Sequence, residues 1–343
     1  MEDYDAAIDW LLSSANPSIR YLSLIDLAGQ DEDSREVANC RRLIARGRMV
    51  RLLLSGQQKD GGFSVHPYRK WSGSHWRLVS LVNLAVPRDN RVMHRAAELE
   101  LQWLYGAGKR RFSTNQHGYI RMHASVYGNA LGSLSYLGLA GDPRTKHILN
   151  LILDAQWPDG GWNCDSRPGA HHSSFHESLA TLWGLIMHSR AARNERVDKA
   201  IDKACELFLS HGIYRSHKSG RIIDGEWLKL RYPSYWHYNY LEAMRVISLA
   251  GKAGDPRMSE ALDMLESARC KDGCWHAQGC YWRPAKSHAP PGSAAGACIE
   301  VVDWGREGPN EMITLNALRV LRAAGRAVFR SPRLFDVSPS TST

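Results

Sequence analysis

The chain has 343 residues, of which 43% are hydrophobic and 23% are charged, a composition typical of a globular protein. Its net charge of +9 is compatible with anionic small molecules or peripheral membrane contact. The basic residues are scattered and form no nucleic-acid motif, which argues against nucleic acid as a partner. No stretch approaches the roughly 18–20 apolar residues that span a bilayer. The acidic start and seven cysteines do not suggest a secreted disulfide protein, so we expect a cytoplasmic chain.

Hydrophobic periodicity predicts two sets of helices that alternate along the chain. The first set comprises residues 8–12, 43–54, 96–104, 148–153, 197–209 and 261–265. The second set opens mostly with aromatic or histidine residues and continues apolar, which is typical of helices buried on most sides. It comprises residues 19–27, 75–84, 123–139, 175–187, 235–249 and 312–321. Alternating runs closed by hairpin turns are nearly absent, so an all-α fold is predicted.

One part of the chain repeats another at a fixed distance of 113 residues. Residues 141–144, 159–160 and 162 recur at 254–257, 272–273 and 275. Each copy contains an Asp-Gly turn followed by tryptophan, and a looser copy occupies residues 60–63. Glycine permits a positive φ after a helix end, and the aromatic residue that follows fills the gap between turns. The repeat indicates that each turn joins a helix of the first set to one of the second.

Six helical hairpins can close into a ring, with one set of helices inside and the other outside. We therefore predict a single (α/α)6 toroid over residues 1–330, followed by a disordered tail at 331–343. The loop at 277–310 is longer than ordinary connections, and such loops are lids, partner contacts or disordered segments.

The segment Gln156-Trp157-Pro158-Asp159-Gly160-Gly161-Trp162 resembles the QW repeat of squalene–hopene cyclases. Similar Gly-Gly-aromatic turns occur in the β-subunits of protein prenyltransferases. Both families are α/α toroids of six hairpins, and the resemblance extends over roughly residues 5 to 325. It implies an enzyme that acts on an isoprenoid or another apolar substrate, such as a prenyl diphosphate.

Four helices of the second set begin with histidine at nearly the same place. These residues are His75, His123, His176 and His237. On a toroid the four positions lie near one end of the ring and can point to its axis. We predict them as catalytic residues, while a helix cap or a satisfied core residue is the alternative for each.

Aromatic and cationic residues near the same helix starts are predicted to bind substrate. They are Trp76, Tyr127, Phe175, Trp236, Tyr238 and Tyr240, together with Arg77 and Arg121. Aromatic faces stabilise a carbocation or stack on a sugar, and arginine binds diphosphate. Packing in the core is the alternative for about half of the aromatic residues.

Zinc takes thiolate, imidazole and carboxylate ligands, and a catalytic site uses three from the protein. The resemblance to protein prenyltransferases implies an aspartate and a cysteine two residues apart, plus a histidine at the start of a later inner helix. Cys164, Asp165 and His176 are the nearest match, although Cys164 and Asp165 are adjacent here. A second thiol-rich group has a spacing that matches no common zinc pattern. It comprises Cys270, Cys274, His276 and Cys280.

Squalene–hopene cyclases protonate an alkene with an Asp-x-Asp-Asp motif, which this chain lacks. Asp224 and Glu226, shortly before a helix of the second set, are the predicted substitutes, and Glu177 is a further candidate. A carboxylic acid desolvated beside aromatic residues has a raised pKa and can donate a proton. Helix capping or a salt bridge is the alternative for each.

Three functions remain open at this point. The first is isoprenoid cyclisation or prenyl transfer. The second is a metal-dependent or acid/base hydrolase or lyase that acts on a polar substrate. The four histidines suit this function better than the first, because a neutral imidazole would quench a carbocation. The third is a scaffold that binds a partner without catalysis.

Overall fold

A computed structural model describes residues 4–108, 112–284 and 298–327. Helices account for 52% of the structure and strands for 5%, so the prediction of a mainly α-helical chain is confirmed. The predicted tail at 331–343 and the middle of the predicted loop, residues 285–297, lie outside the described residues.

The described helices have the following bounds. They are α1 Asp5–Leu12, α2 Pro17–Asp26, α3 Arg35–Ile44, α4 Arg48–Leu54, α5 Ser74–Asn83, α6 Arg91–Gly108, α7 Ala124–Tyr136, α8 Pro143–Asp154, α9 Phe175–Ala191, α10 Glu195–Leu209, α11 Tyr240–Leu249, α12 Ser259–Ser267 and α13 Glu311–Ala323. Two short 3-10 helices span Gly225–Leu228 and Pro256–Met258.

The helices of the second predicted set all form, as α2, α5, α7, α9, α11 and α13, and we call them the central helices. The start of α11 differs, because the prediction began at residue 235 and the helix begins at Tyr240. Asn239 caps α11 by accepting a hydrogen bond from the Glu242 N–H at 2.9 Å. Tyr235 has a φ of 52°, which a right-handed helix does not allow. Residue 237 therefore lies in the turn before α11.

Four short strands occupy the described ends of the predicted loop, where the sequence indicated none. They are β1 His276–Gln278, β2 Arg283–Pro284, β3 Ile299–Glu300 and β4 Glu307–Pro309. β1 pairs antiparallel with β4, and β2 pairs parallel with β3. Strands of two or three residues are too short to show an alternating pattern, which is why periodicity missed them.

From α5 to α13, each central helix contacts the next one in the series. The contacts join α5 to α7, α7 to α9, α9 to α11, α11 to α13, and α13 to α2 near the beginning of the chain. The closest pair is α7 and α9, where a Cβ on Gly184 would overlap the carbonyl oxygen of Gly128. The side chain of Arg319 on α13 donates a hydrogen bond to Asp26 of α2 at 2.9 Å. Both ends of the series therefore lie in one buried core.

The repeated turns have the same backbone geometry. Trp157 N–H donates to the Gly161 carbonyl at 2.8 Å, and Cys270 N–H donates to the Cys274 carbonyl at 2.9 Å. Gly160 has a φ of 99°, and a Cβ there would overlap the carbonyl oxygen of Lys203 on α10. Glycine is required in this copy because the turn packs directly on the backbone of the next helix.

Candidate metal centre

Three side chains of different chemistry converge at the amino-terminal ends of α7 and α9. One ligand atom from each of His123, Cys164 and Glu177 lies within 4.8 Å of the other two. His123 immediately precedes α7, Glu177 lies in the first turn of α9, and Cys164 follows the repeated turn. The Nδ1 of His123 and the Oε1 of Glu177 are 3.6 Å apart. An imidazole, a thiol and a carboxylate thus face one another.

The repeated turn places Cys164 between these two helices. Trp162 N–H donates to Ser178 Oγ on α9 at 3.0 Å. On the other side, Met122 N–H, just before α7, donates to the Asn163 carbonyl at 3.1 Å. The segment that carries Cys164 is therefore bonded to the start of both helices, which holds its thiol at the gap between them.

Glu177 reaches across to α7 instead of capping its own helix. Its sequence context, Ser174-x-x-Glu177, is a capping box, in which the glutamate normally bonds to the backbone N–H of the serine. Here Ser174 N–H donates to the Trp162 carbonyl at 2.8 Å instead. The freed Glu177 Oε2 accepts a hydrogen bond from Ser125 N–H at 2.7 Å, and the carboxylate is buried. The repeated turn therefore releases Glu177 for the site.

The surroundings of His123 favour its protonated, positively charged form. Hydrogen bonds with Cys164 and with Glu177 raise the pKa of His123 to about 10, against the effect of desolvation. Burial alone would raise the pKa of Glu177, but hydrogen bonds with His123, Ser125 and Cys164 outweigh it and leave that pKa below its usual value. At neutral pH the carboxylate is ionised and the imidazole is protonated. The carboxylate and thiol thus face a site that favours a cation.

A divalent metal ion suits these donors. Cysteine, histidine and glutamate are all zinc ligands, and three of them leave the fourth tetrahedral position open, as in catalytic zinc sites. The buried carboxylate is already oriented by the Ser125 N–H, an outer interaction of the kind that fixes metal ligands. His123 is about three-quarters exposed, so an ion can reach the group from solvent.

Of the three metal ligands predicted from the sequence, the structure places only Cys164 in this group. Asp165 turns away and accepts hydrogen bonds from Arg167, with Nε at 2.8 Å. The Nδ1 of His176 accepts a hydrogen bond from Tyr238 N–H at 2.8 Å, beside α11. The predicted set is corrected because the Asp165 carboxylate is taken up by the backbone N–H and the side chain of Arg167.

The four predicted catalytic histidines have four different environments. His123 belongs to the metal group and His176 is half-buried. His75 is fully buried with its Nδ1 2.5 Å from Glu100 of α6, where no substrate can reach it. Among the four, only His237 lines the central cavity described below. The expectation that equivalent helix starts give equivalent side-chain positions is therefore wrong for His75.

The predicted acids lie on the surface. Asp224 caps the first 3-10 helix by accepting from Glu226 N–H at 2.9 Å. Glu226 is exposed, and hydrogen bonds from Lys229 and Arg231 lower its pKa to about 2. A proton donor needs a raised pKa, so these contacts support the capping and salt-bridge alternative.

Most residues predicted to bind substrate pack in the core. Those that are buried are Trp76, Tyr127, Phe175, Tyr238, Tyr240 and Arg77. Arg77 donates to the Leu53 and Ser55 carbonyls at the end of α4, both at 3.0 Å, and cannot also bind a diphosphate. Arg121 donates to the Ser166 carbonyl at 2.7 Å. Trp236 is the exception, since it is half-buried and lines the central cavity.

A narrow cavity lies between the central helices, about one helical turn beyond the metal group. Asn129 and Ala180 line it, four residues after Ser125 and three after Glu177, or roughly 4.5–6 Å along α7 and α9. Its aromatic lining residues are Trp183, Tyr232, Tyr235 and Trp236. Its other polar and charged lining residues are Ser80, Asn83, Asn129, Ser234, His237, Glu242, Arg245, Asn316 and Arg319. Within the described residues, the buried Asn129 Nδ2 and Trp236 Nε1 have no hydrogen-bond partner. The cavity therefore combines polar and charged groups with aromatic ones.

Tyr68 was not predicted at the site, and Glu177 was predicted as a proton donor rather than a metal ligand. Burial raises the pKa of Tyr68 to about 12, and the charges of Glu177 and Cys164 add to that shift, so its hydroxyl lies near the group. Tyr68 precedes α5 by six residues and carries no motif. Glu177 had one signal, the capping box, but that pattern predicts a cap rather than a ligand.

Acidification below pH 6.5 is expected to destabilise the protein in part through His237. Burial lowers the pKa of His237 from 6.5 to about 3. Between these values the unfolded chain binds a proton that the folded chain does not, so stability is fully present above pH 6.5 and falls as the pH falls. The contribution is at most about 1.4 kcal/mol per pH unit. Urea unfolding at pH 7, 6 and 5 should show a shallower pH dependence for His237→Gln than for wild type, and equal slopes would contradict this assignment.

No protein-family model matches the chain, and neither do the characterised proteins or the solved structures with which it was compared. Among the described helices, none is both long enough and apolar enough to cross a membrane. The functional assignment therefore depends on the residues and their geometry.

Proposed function

We propose that this chain is a zinc-dependent enzyme that acts on a polar substrate, with the metal held by His123, Cys164 and Glu177. The observation that carries the proposal is the convergence of an imidazole, a thiol and a buried carboxylate within 4.8 Å. Zinc with three protein ligands supplies Lewis-acid chemistry at its open position. Glu177 keeps its orientation through Ser125 N–H, so the binding geometry is largely set before the metal arrives.

The neighbouring cavity supports a polar substrate rather than an isoprenoid chain. Arg245 is paired with Glu242 at 2.6 Å, and Arg319 with Asp26, so the cavity combines charges of both signs with amide groups. The Asn129 amide, which has no partner among the described residues, is a donor that a hydroxyl or carboxylate of a substrate can satisfy. A hydrocarbon chain would leave the Asn129 amide unpaired, at a cost of about 1–3 kcal/mol.

We also propose that the helices form the (α/α)6 toroid that the sequence predicts. The succession of contacts from α5 through α13 to α2 supports a ring, and the ion pair between Arg319 and Asp26 supports its closure. In such a ring the polar cavity is the axial space. The metal group lies at one end of that space, at the starts of α7 and α9.

The test is a turnover screen with zinc-loaded protein. Polar substrates such as oligosaccharides, esters, amides and phosphoesters are compared with prenyl diphosphates, each with Cys164→Ser and Asp165→Asn as paired variants. We expect conversion of a polar substrate that depends on zinc, is lost in Cys164→Ser and is kept in Asp165→Asn. Conversion that is independent of zinc and unchanged in Cys164→Ser would contradict the proposal.

Prenyl transfer is the second candidate, and one observation favours it. A carboxylate, a cysteine and a histidine are the donor types that the resemblance to protein prenyltransferases implies. The Lys70 ammonium, before α5, lies 4.8 Å from the centroid of the Trp236 ring, before α11. This contact places a cation that could bind a diphosphate beside an aromatic face. In the screen, conversion of prenyl diphosphates alone would favour this candidate.

A further inference from the structure

We propose that Cys270, Asp272 and His276 form a second metal site, which takes a soft divalent ion such as zinc. One ligand atom from each lies within 4.8 Å of the others, and His276 Nε2 is 2.6 Å from Asp272 Oδ2. A thiolate, an imidazole and a carboxylate are zinc ligands. This inference is independent of the proposed function, because the residues belong to another repeat turn.

Comparison of the repeat copies shows that the turn does not need these residues for its backbone. In the copy 113 residues earlier, Trp157 and Asn163 stand where Cys270 and His276 stand. Both copies nevertheless make the same pair of backbone bonds. Gly160 N–H donates to residue 157 at 3.0 Å, and Gly273 N–H donates to residue 270 at 2.9 Å. The thiol and imidazole of the later copy are thus additions to a turn that forms without them.

The shared aspartate has a different partner in each copy. Asp159 accepts hydrogen bonds from the Ser173 backbone N–H, at 2.7 Å, and from its hydroxyl, and so ties the turn to the start of α9. Asp272 instead faces His276, and its Oδ2 lies within hydrogen-bond distance of the imidazole. Cys274 N–H, at 3.0 Å, holds the other oxygen of Asp272. The carboxylate is therefore fixed toward the imidazole rather than toward the next helix.

The position suggests what the ion would do. His276 begins β1, which pairs with β4, and Asn310 directly after β4 caps α13. Asn310 N–H also donates to the Trp275 carbonyl at 3.1 Å. An ion that links Cys270 to His276 would hold the turn against β1 and so fix the entry to the last central helix. Cys270 and His276 are half-buried, and Asp272 is exposed, so an ion can enter from solvent.

Counting bound zinc tests the site. Metal-depleted protein is incubated with zinc, freed of excess by gel filtration and analysed for metal, with Lys271→Ala as a matched control in the same turn. We expect two zinc ions in wild type and in Lys271→Ala, one in Cys270→Ser/His276→Asn and one in Cys164→Ser. If the group of His123, Cys164 and Glu177 binds no zinc and the second site does, wild type binds one ion. That ion is absent from Cys270→Ser/His276→Asn and present in Cys164→Ser. An unchanged count in Cys270→Ser/His276→Asn overturns the second site.

A measurement on the unmodified chain covers the case in which the double variant does not fold. Iodoacetamide labelling with mass spectrometry follows each cysteine with and without zinc. We expect zinc to slow the labelling of Cys270 at least tenfold. Labelling of Cys270 at the same rate in both conditions overturns the proposal.

Discussion

Cys164→Ser is expected to weaken zinc binding at the first centre by on the order of 100-fold or more, and Glu177→Gln is expected to do the same. Loss of an outer-shell partner alone costs about 10–100-fold in metal affinity, and these residues are the donors themselves. Serine and glutamine are poor zinc ligands of similar size, so the substitutions change the donors and little of the packing. Competitive titration against a chromogenic chelator measures the dissociation constant.

The matched controls are the two other residues that the sequence placed at the metal. Asp165→Asn and His176→Asn are expected to leave the zinc affinity within about threefold of wild type, because Asp165 bonds to Arg167 and His176 bonds to Tyr238 N–H. The asparagine amide oxygen can replace His176 Nδ1 as acceptor. Thermal unfolding without metal checks that each variant folds. The assignment is wrong if these two variants lose zinc while Glu177→Gln keeps it.

Trp162→Ala and Trp275→Ala are each expected to lower the free energy of unfolding by about 3–5 kcal/mol, the usual cost of truncating a buried aromatic residue. Both side chains are fully buried. Each indole N–H donates to the carbonyl ten residues earlier, Trp162 to Ile152 at 2.8 Å and Trp275 to Leu265 at 2.7 Å. Truncation therefore leaves a cavity and removes one hydrogen bond from that carbonyl, which keeps only the longer bond, at 3.3 Å, from the backbone N–H of Ala155 or Ala268. Urea denaturation followed by circular dichroism gives the two values.

Trp10→Ala is the control for these substitutions, because Trp10 is only half-buried and belongs to no repeat turn. Its effect should be clearly smaller. The two repeat tryptophans should give similar losses, since both are fully buried and their indole hydrogen bonds correspond. A loss of less than about 1 kcal/mol in the free energy of unfolding for either variant would show that the turn does not depend on its buried tryptophan.

Much of the secondary structure could be predicted because its causes are local. The spacing of apolar residues along one stretch decides whether a helix can bury a face, and that spacing is present in the sequence itself. The repeat turn is local as well, since Gly160 and Trp162 lie within a few residues of the bonds that define it. The boundary before α11 was missed because Tyr235 and Trp236 continue the apolar pattern while the backbone at Tyr235 leaves the helical region.

The candidate site depends on residues from three separate segments, and their choice was decided by tertiary contacts. Ser174 and Glu177 carry a capping signal, but the backbone of Trp162 takes the bond that Glu177 would have made. His75 and His123 were predicted at equivalent helix starts, yet His75 lies within the first turn of α5 and pairs with the buried Glu100, while His123 precedes α7. The hydrophobic periodicity of a segment does not show which distant residue will take its hydrogen bonds, so such competition cannot be predicted from it.

Local apolar spacing and glycine placement are enough to predict the mainly helical class, the alternating helices and the repeated turn. The tertiary structure alone decided which thiol, imidazole and carboxylate meet. Cys164 was identifiable as a candidate from its chemistry, but its partners were not. They depend on how the turn is bonded to α7 and α9, which brings His123 and Glu177 to the thiol and leaves Asp165 facing Arg167.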